Sequence, residues 1–128
     1  MKVNGLELDE FTVSYCEAAL WSTVNCVTPG LDKGKGEHLD ARYSINDIPA
    51  SVLKTMVADC EAFQRDNELT LSLVGDDQQH GHDFWLTREG HGAGFWSRGY
   101  GDIGETLSER AREYGNGSDD FGAADWAK

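Results

Sequence analysis

The chain has 128 residues and a formal charge of −12 at pH 7, with 39% hydrophobic and 27% charged residues. That length and apolar share make a single folded domain with a real core, and they exclude an intrinsically disordered chain. Acids outnumber Lys and Arg by ten to five in residues 1–64 and by thirteen to six in 65–128. So even a negative field excludes capture of nucleic acid through its phosphates, and it suits a basic partner, solubility or mimicry of DNA's charge.

From Asp9, a helix cap, "EFTVSYCEAALWS" places Phe11, Tyr15, Ala18 and Ala19 on one stripe and Val13, Cys16, Leu20 and Val24 beside it. This predicts a helix apolar on a broad face, packed on two sides. The Gly-rich stretch Thr28 to Asp40 predicts a flexible loop. Its Gly-Lys-Gly lacks the preceding strand and the following Gly-Lys-Ser/Thr of a phosphate loop. Next, "YSINDIPASVLKTMVADCEAFQRDN" is the clearest helix. Asn46 and Asp47 offer caps, Pro49 fits the first turn, and Val52, Leu53, Met56, Val57, Cys60 and Phe63 recur at three- and four-residue spacing. In "ELTLSLV" Leu69, Leu71 and Leu73 alternate with polar residues, which predicts a short strand.

"HDFWLTREGHGAGFWSRG", His82 to Gly99, holds two Phe-Trp pairs around Glu89-Gly90. A two-residue turn there predicts a β-hairpin with Phe84 opposite Phe95 and Leu86 opposite Ala93. Trp85 and Trp96 then share the other face with Asp83 and Arg98, and Gly94 leaves room for the Trp85 ring. Beyond Gly101, "DIGETLSERAREYG" predicts a helix with Ile103, Leu107, Ala111 and Tyr114 inward and Gly115 as its left-handed stop. Glu105, Glu109 and Glu113 form an acidic row on a neighbouring face. The tail, residues 116–128, is acidic, with Phe121 and Trp126 to anchor it. The expected class is α+β: one domain, 1–128, with a small antiparallel hairpin or sheet packed against about three helices.

Catalytic chemistry finds little support. His80, His82, Asp83 and His91 carry metal-ligating groups, but the hairpin register would put His82 about 20 Å from His91 at ~3.3 Å per residue. A metal-assisted hydrolase built on these four is therefore the alternative reading. Cys16 and Cys60 lie on apolar stripes, where a thiol is inert packing; Cys26 is the one thiol expected to be exposed. No nucleophile elbow or dinucleotide fingerprint is present, and no cofactor is expected. The N-terminus shows no Lys/Arg-led apolar leader and no run of membrane-spanning length, which predicts a cytosolic chain with reduced thiols. What remains is a binding face of Asp83, Trp85, Trp96 and Arg98, with the Glu105, Glu109 and Glu113 row beside it, because Trp and Arg dominate interface energetics.

The central stretch "HDFWLTREGHGAGFWSRG", with "GDIGETLSERAREYG" after it and "EAALWST" and "LDARYSINDIPASVLKTMVADCEAF" before it, resembles a group of small acidic proteins encoded by tailed bacteriophages. The likeness runs from about Glu17 to Gly115. It implies a phage accessory protein acting in the host cytoplasm by binding or inhibiting a host protein with a basic surface, as an anti-defence factor or a DNA mimic. It supplies no catalytic residues. Two features depart from the group: Glu89 stands where Asn is expected before Gly90, and residues 116–128 lack a strand-like closing segment. A virion assembly role is less attractive because no internal repeat is present.

Overall fold

Asn4 and Gly5 join two short strands, β1 (Lys2–Val3) and β2 (Leu6–Glu7), with Lys2 opposite Glu7 and Val3 opposite Leu6. Both turn residues have positive φ, 49° and 82°, the tight hairpin geometry that Asn-Gly favours. The computed structural model describes residues 1–25, 37–122 and 126–127. Cys26 and most of the loop expected at 28–40 therefore lie outside the described residues.

Helix α1 (Glu10–Ser22) begins as expected, with the Asp9 carboxylate accepting from the Thr12 amide at 2.8 Å. A second two-stranded antiparallel ladder follows, β3 (Val24–Asn25) with β4 (Glu37–His38). Two 3-10 turns, Leu39–Ala41 and Ile45–Asp47, lead into α2 (Ala50–Asp66). Asp47 caps the second of these turns, accepting from the Ser44 amide at 2.7 Å, and Pro49 is itself the cap residue of α2. Leu53, Met56, Cys60 and Phe63 are buried on the face of α2 that their spacing predicts. Helix α5 (Asp102–Arg112) buries Leu107 and Ala111, and Gly115 beyond it has φ 78°. The left-handed stop stands where the sequence puts it.

Two predicted strands are helices. Residues Glu68–Ser72 form α3, which buries Leu71 and leaves Leu69 and Leu73 exposed on one side, four residues apart. The larger correction is α4 (Asp77–Glu89), which replaces the first strand of the expected hairpin. Its N-cap, Asp76, accepts from the Gln79 amide at 2.8 Å. Gly90, read as half of a β-turn, is the helix's C-cap at φ 70°. The two signals are the same residue chemistry, because a helix stop and a tight hairpin turn both require a left-handed backbone. Phe95 begins a 3-10 turn, Phe95–Ser97, so the expected Phe84–Phe95 and Leu86–Ala93 register does not exist. A short α6 (Gly117–Phe121) closes the fold.

The centre of the molecule is the crossing of α1 and α4. A Cβ at Gly81 would run into the backbone carbonyl of Phe11, so only glycine lets the two helices approach this closely. The Ser14 hydroxyl seals the crossing by donating to the Gln78 carbonyl oxygen at 2.5 Å. Around it lies an aromatic core: Phe63 stacks on Phe84 at 4.2 Å between ring centres, with Tyr114 edge-on to Phe84 at 5.4 Å. The chain is thus mostly helical with small antiparallel ladders. The α+β class holds in that coarse form, with six α-helices among the described residues rather than about three.

Candidate functional site

A groove of about 820 Å³ lies between α1, the 3-10 segment around Asp40–Ile45 and the first turns of α4. Helix α1 contributes Glu17 and Trp21. Trp21 is half exposed, 50%, which is costly for an indole that makes no external contact. Its ring stacks on His38 at 6.5 Å with a 13° interplanar angle and meets His82 at 5.8 Å. Burial holds the His82 imidazole below the usual histidine range, despite the neighbouring Asp83 carboxylate. His82 is therefore mostly neutral at pH 7 and adds little charge beside the Trp21 ring.

The far wall is Arg98. Its Nη2 donates to Asp83 Oδ1 at 2.7 Å and its Nε to both Asp83 oxygens at 3.1 Å. Gln79 Nε2 adds a third donor group to Asp83, at 3.1 Å. Asp83 is fully buried, so this ion pair is internal scaffolding, and Asp83 offers nothing to a partner. Arg98 and Asp83 cancel, whereas Glu17, Asp40 and Asp76 line the groove as exposed carboxylates. The groove is negative, with an aromatic platform: a shape for a cation carrying apolar stem or planar π surface.

The residues nominated from sequence do not converge. Trp85 is buried, 1% exposed, with its Nε1 donating to Ser22 Oγ at 2.6 Å and its ring edge-on to Tyr15 and Phe121. It cannot be an interface anchor, because α1 and α6 cover it. Trp96 is partly exposed and carries the Arg112 guanidinium 5.4 Å over its ring. Gly94 makes room for Trp96 and Thr87, not for Trp85: a Cβ there would sit 2.5 Å from Thr87 Oγ1. Glu105, Glu109 and Glu113 are all exposed, on α5 and just past its end.

The histidines separate as well. His80 is buried beside Phe95, while His82, two residues on, faces the groove, because positions i and i+2 of a helix point apart. His91 is exposed beyond the C-cap. Among the described residues no group of three or more His, Cys, Asp or Glu is arranged to hold a metal ion. Cys16 and Cys60 are buried free thiols, and burial pushes Cys16 up to about 12 and Cys60 well above its ordinary value. Neither can act as a thiolate nucleophile near neutrality.

Two residues escaped sequence reasoning. Trp21 belongs to neither apolar stripe of α1, and that exclusion was the available signal. Arg88 gave none. Its buried guanidinium donates to the Tyr15 hydroxyl (2.8 Å), Asp59 Oδ2 (3.0 Å), Asp120 Oδ2 (3.2 Å) and the carbonyl oxygens of Tyr114 (2.8 Å) and Gly115 (3.0 Å). One side chain thereby ties α1, α2, α4, the end of α5 and α6 together.

Among the described residues no helix is long and apolar enough to cross a membrane. Compared with family models, with curated proteins and with solved structures, the chain matches none.

Proposed function

We propose that this chain is a phage accessory protein that binds a host protein in the host cytoplasm, receiving a basic segment of that partner in the groove beside Trp21. The observation that carries the reading is the pairing of a half-exposed indole with three exposed carboxylates in one concavity. Apolar aromatic surface next to exposed negative charge suits an arginine or lysine side chain, whose stem lies on the ring and whose head meets the acids. The overall charge of −12 would steer such a partner from a distance. The likeness of the central stretch to small acidic phage proteins supports the biological setting. Occupying a basic surface of a host enzyme would block whatever acidic ligand that surface normally takes, which is how binding would become inhibition.

The acidic row on α5 supports a stricter DNA-mimic version less well, because Arg110 and Arg112 occupy the same last turn as Glu109. The reading is tested by titrating an arginine-rich peptide and an equally long glutamate-rich one into the protein. Only the basic peptide should bind, with affinity falling as salt rises. Trp21→Ala should cost on the order of tenfold, ~1.4 kcal/mol, and Glu17→Gln with Asp40→Asn should flatten the salt dependence. Binding that ignores Trp21→Ala would move the interface elsewhere, and no binding of the basic peptide would end the proposal.

A further inference from the structure

Two carboxylates share the Arg88 guanidinium. Asp59, on α2, lies 3.0 Å from Nη1, and Asp120, on α6, lies 3.2 Å from Nη2. Asp120 is the only acid of α6 that reaches the core, and through it the C-terminal segment is fastened to the body. The same segment carries Phe121 against Trp85, and Trp126, whose Nε1 donates to the Phe121 carbonyl oxygen at 2.8 Å. Trp126 in turn meets Tyr43, a wall of the groove, edge-on at 5.7 Å.

We infer that Asp59, Asp120 and Arg88 form a proton-operated clasp that holds α6 and its flanking residues, 116–122, on the body of the protein. One guanidinium balances one carboxylate. When both acids are ionised, a surplus negative charge sits in a partly buried site, and α6 is pushed from α2. When the pair holds one proton, the carboxyls hydrogen-bond to each other and the charges cancel.

Each neighbouring element contributes to that balance. Tyr15 of α1 stays protonated because burial raises it well above its ordinary value, so it adds no charge. Cys60 beside Asp59 stays neutral for the same reason. Tyr114 is likewise raised by burial, and Asp66 and Arg65 act on it from the end of α2. Burial, then the hydrogen bond to Asp120, pushes Asp59 up to about 6 against the pull of Arg88. At the other end of α6, burial also raises Glu89, against the pull of Arg88 and His91. Asp119, next to Asp120, is exposed.

The clasp is read without any ligand. Its consequence, that the clasp braces the Tyr43 wall of the groove, rests on the groove being the binding site. Amide exchange in the full chain separates the two. The Gly122 amide, which donates to the Ser118 carbonyl oxygen, should be protected on the order of tenfold better at pH 5 than at pH 7.5 once intrinsic exchange is allowed for. Amides of α1 and α4 should change less. Asp59→Asn should hold the protection high at both pH values, and Asp120→Asn should do the same if the first variant folds poorly. A pH-independent Gly122 in the wild type overturns the clasp. So does a pH response that survives Asp59→Asn and vanishes in Glu89→Gln. Peptide titration at pH 5 and pH 7.5 reports separately on the groove, and its failure leaves the exchange result standing.

Discussion

Helices α4 and α5 are nearly equal in length and opposite in character. Helix α5 buries Gly104, Leu107, Ser108 and Ala111 on one side and exposes Glu105, Glu109 and Arg110 on the other. Its stripe is visible in the sequence because half of the helix stays in water. Helix α4 buries His80, Gly81, Asp83, Phe84, Trp85, Leu86, Thr87 and Arg88, polar and apolar alike, in one nearly continuous run. A helix buried on most of its sides has no clear stripe, and its buried polar residues are chosen by their partners rather than by solvent. The difference teaches that a charged residue in a helix says nothing about exposure until its partners are known.

The sharpest way to break that comparison is to remove a charge from each helix. Arg88→Ala on α4 should cost about 3–5 kcal/mol, because it strands Asp59, Asp120 and the Tyr114 and Gly115 carbonyl oxygens. Urea denaturation measures it, and a loss under about 0.5 kcal/mol, the size of an ordinary surface change, would show that the hub carries no stability. Next in size, Gly81→Ala should cost roughly 3 kcal/mol or less, since its methyl meets the Phe11 backbone and the crossing must open. A melting temperature equal to wild type would mean α1 and α4 are not pressed together there.

A smaller effect sharpens the picture through pH. Asp59, and to a lesser degree Glu89, take up protons more readily folded than unfolded, so the folded state binds more protons between the two pKa values. The Asp59 contribution to stability is therefore greatest below about 4, the ordinary carboxyl range, and is lost as pH rises through about 6, with Glu89 acting in the same direction. Asp9 works in the other direction, being lowered by its Thr12 and Gln64 hydrogen bonds against burial, but its loss comes only as pH falls below 3.8. Stability measured from pH 4.5 to 7 should thus decline, and a rise over that range would contradict the Asp59–Asp120 pairing. Smallest of all, Glu109→Ala on α5 should change stability by no more than about 0.5 kcal/mol. A larger loss would place a partner over an acid the structure leaves exposed.

Much of the fold was legible where one side of an element faces water. The Asp9 cap, the α2 stripe from Leu53 to Phe63, the α5 stripe and the Gly115 stop all follow from spacing and local hydrogen bonding. The Asn4-Gly5 pair, a strong short-range hairpin signal missing from the expected elements, joins β1 to β2. The Glu89-Gly90 pair misled because a left-handed glycine ends a helix as readily as it turns a ribbon. The candidate site was less legible than the fold. Trp85 and Trp96 drew attention as repeated residues, yet the groove is built on Trp21, which stands alone in its stretch.

The sequence by itself determined the negative field, the helices with a solvated face, and the inertness of the two helical cysteines. These depend on composition and on periods of a few residues. Only the tertiary structure decided that α4 is a helix, that Arg88 is a buried hub and that Trp21 is the indole that lines the groove. Each of those depends on what chain distant in sequence brings alongside: the Phe11 carbonyl at Gly81, Asp59 and Asp120 at Arg88, and His38 and His82 at Trp21. Burial and pairing are properties of two segments together, so no local pattern in either one can encode them.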